Sequence, residues 1–230
     1  MLNPTDDNIF VILPVFNEEP GLIGQIVSGL LQQGYRVVLV DDASAKKVML
    51  PPANHLFQLR HAVNLGQGAA LQTGIALALK KNADYLVTFD ADGQHSIADI
   101  PALLLPLREK KADITLGSRF LLPGHHNASW FRQLLLEAGR WVNYFFTGFY
   151  LSDAHNGLRA MNRYAAEKIN LKENRMAHAT EFLLQIKQHK LRMLEVPATV
   201  TYTDYSKGKG QSAFNSLRIF FDLFLHKLFE

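Results

Sequence analysis

There is no cysteine anywhere in the 230 residues. That absence excludes a disulfide scaffold, a thiolate zinc site and a cysteine nucleophile together, and it agrees with a reducing compartment. No stretch approaches the ~20 uninterrupted apolar residues that span a bilayer, so no transmembrane helix is expected. Residues 1–7 are polar and open with no basic run, so no secretory leader is predicted. Internal repeats, low-complexity tracts and a clear linker are missing too. Charge is sparse: 24 Lys+Arg against 21 Asp+Glu give a net +3. That is too little for a dedicated nucleic-acid binder and suits an anionic ligand or a lipid surface. The hydrophobic fraction of 48% is ordinary for a globular chain long enough to bury a full core.

What is present is an alternation of short β-rich runs with amphipathic helical runs. Strands are predicted over 9–15, 36–41, 55–60, 84–89 and 113–117, with helices over 21–33, 67–82 and 97–111. The fold class is therefore α/β, with a mostly parallel central sheet flanked by helices. The second half changes character. Residues 129–151 read as a long aromatic-rich helix, 157–162 as a short strand, 177–189 as a helix and 192–203 as a strand. A basic loop over 206–212 leads into a final helix at 214–230. One domain over 1–213 with a C-terminal amphipathic helix over 214–230 is expected.

The sharpest local signal is Asp90-Ala91-Asp92-Gly93-Gln94-His95, directly after a β-branched and aromatic run. Residues i and i+2 of an extended chain point the same way. Asp90 and Asp92 thus present two carboxylates to one point beyond a strand's C-terminal end, where open α/β sheets bind ligands. Two adjacent like charges need a cation, and hard oxygen ligands suit Mg2+ or Mn2+. A second acidic pair, Asp41-Asp42, also ends a strand; it can start a turn or accept hydrogen bonds from a nucleobase. A third element, Asn64-Leu65-Gly66-Gln67-Gly68-Ala69-Ala70, leads from a strand into a helix. Its glycines either let backbone N–H groups approach phosphate or serve a tight turn and close packing. Leu71 stands where a dinucleotide fingerprint needs its third glycine, which disfavours hydride transfer, and no Walker Lys-Ser/Thr follows.

Taken in order, Pro14-Val15-Phe16-Asn17-Glu18, Asp41-Asp42-Ala43-Ser44, Asn64-x-Gly66-x-Gly68-x-Ala70, Asp90-x-Asp92-Gly93-Gln94-His95 and Gly117-Ser118-Arg119 resemble an inverting family 2 glycosyltransferase of GT-A fold. The closer likeness is to the dolichyl-phosphate mannose synthase-like branch, which moves a sugar from a nucleotide donor onto a polyisoprenyl phosphate. Asn156-Gly157-Leu158-Arg159-Ala160, the Glu181 helix, Glu195-Val196-Pro197 and Lys207-x-x-Gly210-x-Ser212 agree with it, so the resemblance spans about residues 8–213. It implies that Pro14, Phe16, Glu18 and Asp41 or Asp42 line a nucleoside pocket bordered by Asn64 and Gly66. It implies that Asp90, Asp92 and Gln94 hold the metal and the donor diphosphate. Arg119 and Arg132 would receive the acceptor's phosphate, with Lys207 and Ser212 on a loop closing over the donor and Ser212 reaching the acceptor phosphate. The glycine loop carries Gln67 where the family often has Lys, and Lys207 stands where Arg is usual; Lys offers a point charge instead of a bidentate fork.

The implied reaction is an in-line displacement at the anomeric carbon. Charge collecting on the departing diphosphate would be met by a divalent ion at Asp90 and Asp92 with help from Lys207 or Lys209. A phosphate acceptor is already ionised at neutral pH and needs cations, not a base. Arg119 and Arg132 can converge on it, or each can serve a structural ion pair. A hydroxyl acceptor would want a base, for which His178 and Glu181, three apart on one predicted helix, are candidates. His95 either tunes the acidic cluster or caps the next helix, and the paired His125-His126 makes a poor metal site. A nucleotide-binding module without catalysis is the further alternative. In 214–230, Arg218, Asp222, His226 and Glu230 form one narrow stripe and apolar residues nearly all the rest. Such a helix meets the protein's own core, a second copy in a homo-oligomer, or the surface of a membrane, with the aromatic 129–151 run beside it. A lipid-linked acceptor places the chain in the cytoplasm at the inner face of a membrane.

Overall fold

The computed structural model describes residues 7–121, 140–141, 144–145, 147–154, 156–173 and 177–201. Seven strands form one sheet: β1 (Ile9–Val15), β2 (Arg36–Asp41), β3 (Leu56–Arg60), β4 (Tyr85–Thr88), β5 (Ile114–Ser118), β6 (Arg159–Asn162) and β7 (Met193–Pro197). Their spatial order is β3-β2-β1-β4-β6-β5-β7. β6 runs antiparallel to both β4 and β5, and every other pairing is parallel. The helices whose bounds are described are α1 (Pro20–Gln32), α2 (Gln67–Lys80), α3 (Ile100–Arg108), α4 (Arg163–Lys168) and α5 (Ala177–Gln188).

β1 reads IFVILPV because it is covered on both faces, as a central parallel strand must be. Val11, Leu13, Val37, Leu39 and Val87 face α1 and α3, which contribute Ile23, Leu30, Leu103 and Leu107. The alternate residues Phe10, Ile12, Val38, Val40 and Leu86 face α2, α4 and α5. The period of two along each strand thus divides one hydrophobic inventory between two cores.

The predicted α/β sheet is present, with four adjustments. The helix expected over 97–111 is a 3₁₀ turn, Ile97–Asp99, followed by α3, which begins with Pro101 in its first turn. The strand expected over 192–203 ends at Pro197, because its partner β5 ends at Ser118 and passes into a 3₁₀ turn, Arg119–Leu121; Ala198 N makes the last rung to Ser118 O at 3.0 Å. Val200 instead makes an isolated antiparallel bridge with His95, and Thr201 N donates to Gln94 O at 2.8 Å. α4 was not anticipated; its six residues are too few for a helical period, and Asn162 caps it by accepting from Ala165 N at 2.8 Å. The antiparallel insertion of β6 was not anticipated either. Arg132, Lys207, Ser212, the His125-His126 pair, the final helix and most of the aromatic run lie outside the described residues.

Candidate active site

The sheet opens at its C-terminal edge between β1 and β4. Crossovers leave β1 toward β2 on one side and return to β4 on the other, the reversal that creates a crevice. β4 pairs with β1 only as far as Ile12 and Thr88, with Phe89 N then donating to Ile12 O at 3.0 Å. Pro14 has no N–H for a further rung, so the strands part. The resulting cleft has a volume of about 930 Å³. Pro14, Phe16 and Glu18 line it from the end of β1, and Asn64, Gly66 and Gln67 from the loop entering α2. Asp90 and Asp92 follow β4 into it, Gly157 and Arg159 come from β6, and His178 from α5.

Side-chain alternation separates the two acids that end β2. Asp41 turns away from the cleft, forms an ion pair with Arg60 and accepts from Ser44 N at 2.8 Å. Burial pushes the Asp41 carboxyl up, but the Ser44 and Arg60 hydrogen bonds outweigh it and hold the group below its usual range. Asp42 lines the cleft and braces the glycine loop. Its oxygens accept from Leu65 N at 2.9 Å and Gly66 N at 2.7 Å, with His61 Nδ1 at 2.7 Å. Gly66 needs its freedom, since its φ of 93° is closed to most side chains. Gly68 serves packing: a Cβ there would lie 2.2 Å from Glu173 O. Both proposed uses of that loop, tight turn and open approach to the helix N-terminus, are thus compatible.

Asp90 is clamped. Gln67 Nε2 donates to its Oδ1 at 2.9 Å, and His95 Nε2 lies 3.3 Å from its Oδ2. Burial raises the Asp90 carboxyl, yet His95, Arg159 and His178 overcome that and hold it low. Asp92 is the opposite case: burial, with the charge of Asp90 adding to it, pushes its carboxyl up. Asp92 Oδ1 accepts from Gln94 N at 3.0 Å. Gln94 is otherwise used through its backbone and does not line the cleft. An ionised Asp90 beside a carboxyl that resists ionisation is a donor set short of a cation. Among the described residues no group of three or more His, Asp or Glu forms a complete protein cage. Two carboxylates are what Mg2+ takes when substrate phosphates and water complete its shell, so the residues fit such an ion.

Arg119 lies in a 3₁₀ turn after β5, outside the cleft lining. Its guanidinium grips Asp153, Nε to Oδ2 at 2.7 Å and Nη2 to Oδ1 at 3.3 Å. Asp153 is seated in turn by a network in which Glu195 accepts from Ser152 N at 2.9 Å and from Asp153 N at 3.2 Å. The His178/Glu181 pair is split. His178 is buried in the cleft wall, whereas Glu181 accepts from Lys172 N and Glu173 N at 2.9–3.0 Å and from Gln185 Nε2 at 3.1 Å. Sequence reasoning gave no role to Arg159, Gly157 or Asp153. The first two stood in a quoted motif, and nothing in the order of residues pointed to the third.

The family model described as Glycosyl transferase family 2 matches residues 10–170. The chain belongs to that family. Its α/β architecture is the GT-A fold, and the segment matched holds every acidic cleft residue. Among its relatives, an uncharacterised protein of Methanocaldococcus jannaschii is 35% identical over 97% of this chain and 93% of that one. The UDP-N-acetylglucosamine–dolichyl-phosphate N-acetylglucosaminyltransferase of Methanococcus voltae is 29% identical over 97% of both chains. Among solved structures, glucosyl-3-phosphoglycerate synthase from Mycobacterium tuberculosis, in complex with Mn2+, UDP and phosphoglyceric acid, superposes with a TM-score of 0.62. It is 15% identical and covers 88% of this chain and 73% of its own, a likeness of fold.

Proposed function

We propose that this family 2 glycosyltransferase moves a sugar, with inversion, from a nucleoside-diphosphate sugar to the phosphate of a polyprenyl lipid, using Mg2+ or Mn2+. The observation that carries the reading is the Asp90–Asp92 pair lining the cleft at the sheet's switch point, in a chain collinear with a dolichyl-phosphate transferase. Pro14, Phe16, Glu18, Asp42, Asn64 and Gly66 form the nucleoside side of the cleft. Asp92, with Asp90 beside it, holds the metal and diphosphate, and Gln94 steadies Asp92 through its backbone N–H. Bound there, the ion neutralises charge on the leaving diphosphate more in the transition state than before it. Asp42 keeps the glycine loop in shape, while Gln67 and His95 keep the Asp90 carboxylate from rotating. Arg119, oriented by its ion pair with Asp153, would meet the acceptor phosphate together with Arg132 and Ser212, and Lys207 would close on the donor. An ionised phosphate needs no base; of the two residues His178 and Glu181, His178 is the one that lines the cleft and would serve a hydroxyl acceptor.

The test is incubation of the full chain with UDP-, GDP- and dTDP-sugars, Mg2+ or Mn2+, and farnesyl phosphate, with product read by mass spectrometry. A farnesyl-phosphate sugar is expected with one donor, and Asp92→Asn should lower kcat by roughly 10²–10³-fold. Nucleotide binding without sugar release would make the chain a binding module, and transfer to a hydroxyl acceptor alone would move the reading to His178.

Attachment to the inner face of a membrane belongs to the same proposal. Among the described residues no helix is long and apolar enough to cross a membrane. Trp141, Tyr144, Phe145 and Tyr150 are exposed, a grouping suited to an interface. Acidic liposomes should float the full chain and leave behind a chain ending at Gln211; equal flotation of both would remove the final helix from the account.

A further inference from the structure

The described residues lining the cleft carry four carboxylates, Glu18, Asp42, Asp90 and Asp92, against one permanent cation, Arg159. β6 puts that arginine in the middle of the sheet, its Cα paired with Thr88 on one side and Leu116 on the other. It is only 5% exposed. Two contacts fix the plane of its guanidinium. The group lies 4.6 Å over the ring of Phe182, and Nε donates to Asn156 O at 3.0 Å. Its two terminal nitrogens donate to no described residue, and its ordinary carboxylate partners are out of contact. Asp90 and Asp153 act on it only through space.

An arginine has five N–H donors, and a buried one ordinarily spends them on protein or water. This one spends a single donor on the described residues and lines a cleft. Burial lowers it to about 10, with Asp90 and Asp153 opposing, so it stays charged at neutral pH. The loop opening α2, the usual place for a phosphate-binding cation beside a helix N-terminus, offers neutral Gln67, and that amide is held by Asp90. An anion entering between Asp90 and Asp92 therefore meets one fixed fork of donors in the described cleft.

We infer that Arg159 is a phosphoryl-binding residue: its two terminal nitrogens receive oxygens of a phosphoryl group bound beside Asp90. The inference rests on the reading of this cleft as one for phosphorylated substrates. The phosphoryl group belongs to the nucleoside diphosphate or to the lipid acceptor, and both present the same bidentate oxygens.

Calorimetric titration of the full chain with UDP, GDP and farnesyl phosphate in Mg2+ distinguishes them, with uridine and guanosine as phosphate-free controls. Arg159→Lys keeps a charge and loses the fork; Arg159→Met loses both. Each variant is expected to weaken a nucleoside diphosphate at least about tenfold and to leave the nucleoside within about twofold, the size of a lost charge-assisted pair. A loss confined to farnesyl phosphate assigns the fork to the acceptor, a loss with both ligands assigns it to a shared point, and either supports a phosphoryl ligand. Unchanged affinities in both variants, with tight binding by the native chain, overturn the inference and leave the transferase reading standing. If the native chain binds no diphosphate and no farnesyl phosphate, both fail. Should Arg159→Met not fold, a crystal structure of the native chain with Mn2+ and the nucleoside diphosphate decides. A phosphoryl oxygen within about 3.2 Å of a terminal nitrogen is expected, and oxygens bound elsewhere overturn the assignment.

Discussion

A Cβ atom added to Gly157 would fall 1.9 Å from Oδ2 of Asp90. The carboxylate occupies that space because Gln67 and His95 hold it there. Gly157→Ala must therefore push Asp90 out of its clamp or distort the start of β6. The expected result is a loss of about 1–3 kcal/mol in stability, the usual penalty of overpacking. A fall in turnover of at least about tenfold should accompany it, since misplacing a reacting-site group by an ångström costs that and more. Thermal melts and steady-state kinetics check both, and unchanged values would mean that Asp90 has room to spare. At this scale the chain was partly legible. Asp90 and Asp92 follow from i, i+2 geometry at a strand end, but the choice of Asp42 over Asp41 depends on which face of β2 meets the cleft. The partnership of Gln67 with Asp90 joins residues 23 apart and leaves no mark in either local motif.

Elements are positioned by close approach as much as by hydrophobic pattern. α2 lies against β1 through Gly74, where a Cβ would come within 2.3 Å of Ile12 Cγ2. Helix propensity favours alanine over glycine by about 1 kcal/mol. Here the clash outweighs it, because a branched methyl buried in a strand cannot swing away. Gly74→Ala is expected to destabilise by a net 1–2 kcal/mol or so in denaturant titrations. Combined with Ile12→Ala, the loss should be smaller than the two single losses added. Strict additivity would show that the helix simply shifts. Central strands such as β1 and β2 were readable to the residue, because a strand buried on both faces is a continuous apolar run. β7 was not, because its ladder stops where β5 turns away after Ser118, and the run 192–203 carries no mark of where its partner ends. α4 escaped because six residues carry less than two helical turns.

For the whole molecule, the outer strand β7 is fastened to β5 through Arg192 and Asp113, residues 79 apart. Arg192 N and Nε donate to Asp113 Oδ2 at 3.0 Å and Nη2 to Oδ1 at 2.8 Å. These bonds, the Arg192 side chain first among them, hold the Asp113 carboxyl down at about 2. A carboxyl lowered in the folded state stabilises above its unfolded value near 4 and loses that contribution as pH falls toward 2. With Arg192 largely in solvent, screening leaves the contribution at pH 7 smaller than a fully buried pair would give. Asp113→Asn should thus unfold more easily at pH 7, and its difference from the native chain should shrink between about pH 4 and pH 2. Urea titrations across that range test the sign; a difference that grew on acidification would exclude the pair as its source.

The order of strands and helices, the two acidic strand ends and the membership of a transferase family were all determined by the sequence itself. These rest on local periodicity and on motifs of a few neighbouring residues, which backbone geometry translates directly into structure. The tertiary structure alone decided which of two adjacent acids faces the cleft, and that Asp153 holds Arg119. It also decided that Glu181 accepts from backbone N–H groups outside the cleft lining and that Arg159 lies buried in a cleft with four carboxylates. The Arg119–Asp153 pair and the seat of Arg159 join segments far apart in the chain, and the packing of β6 between β4 and β5 places the second.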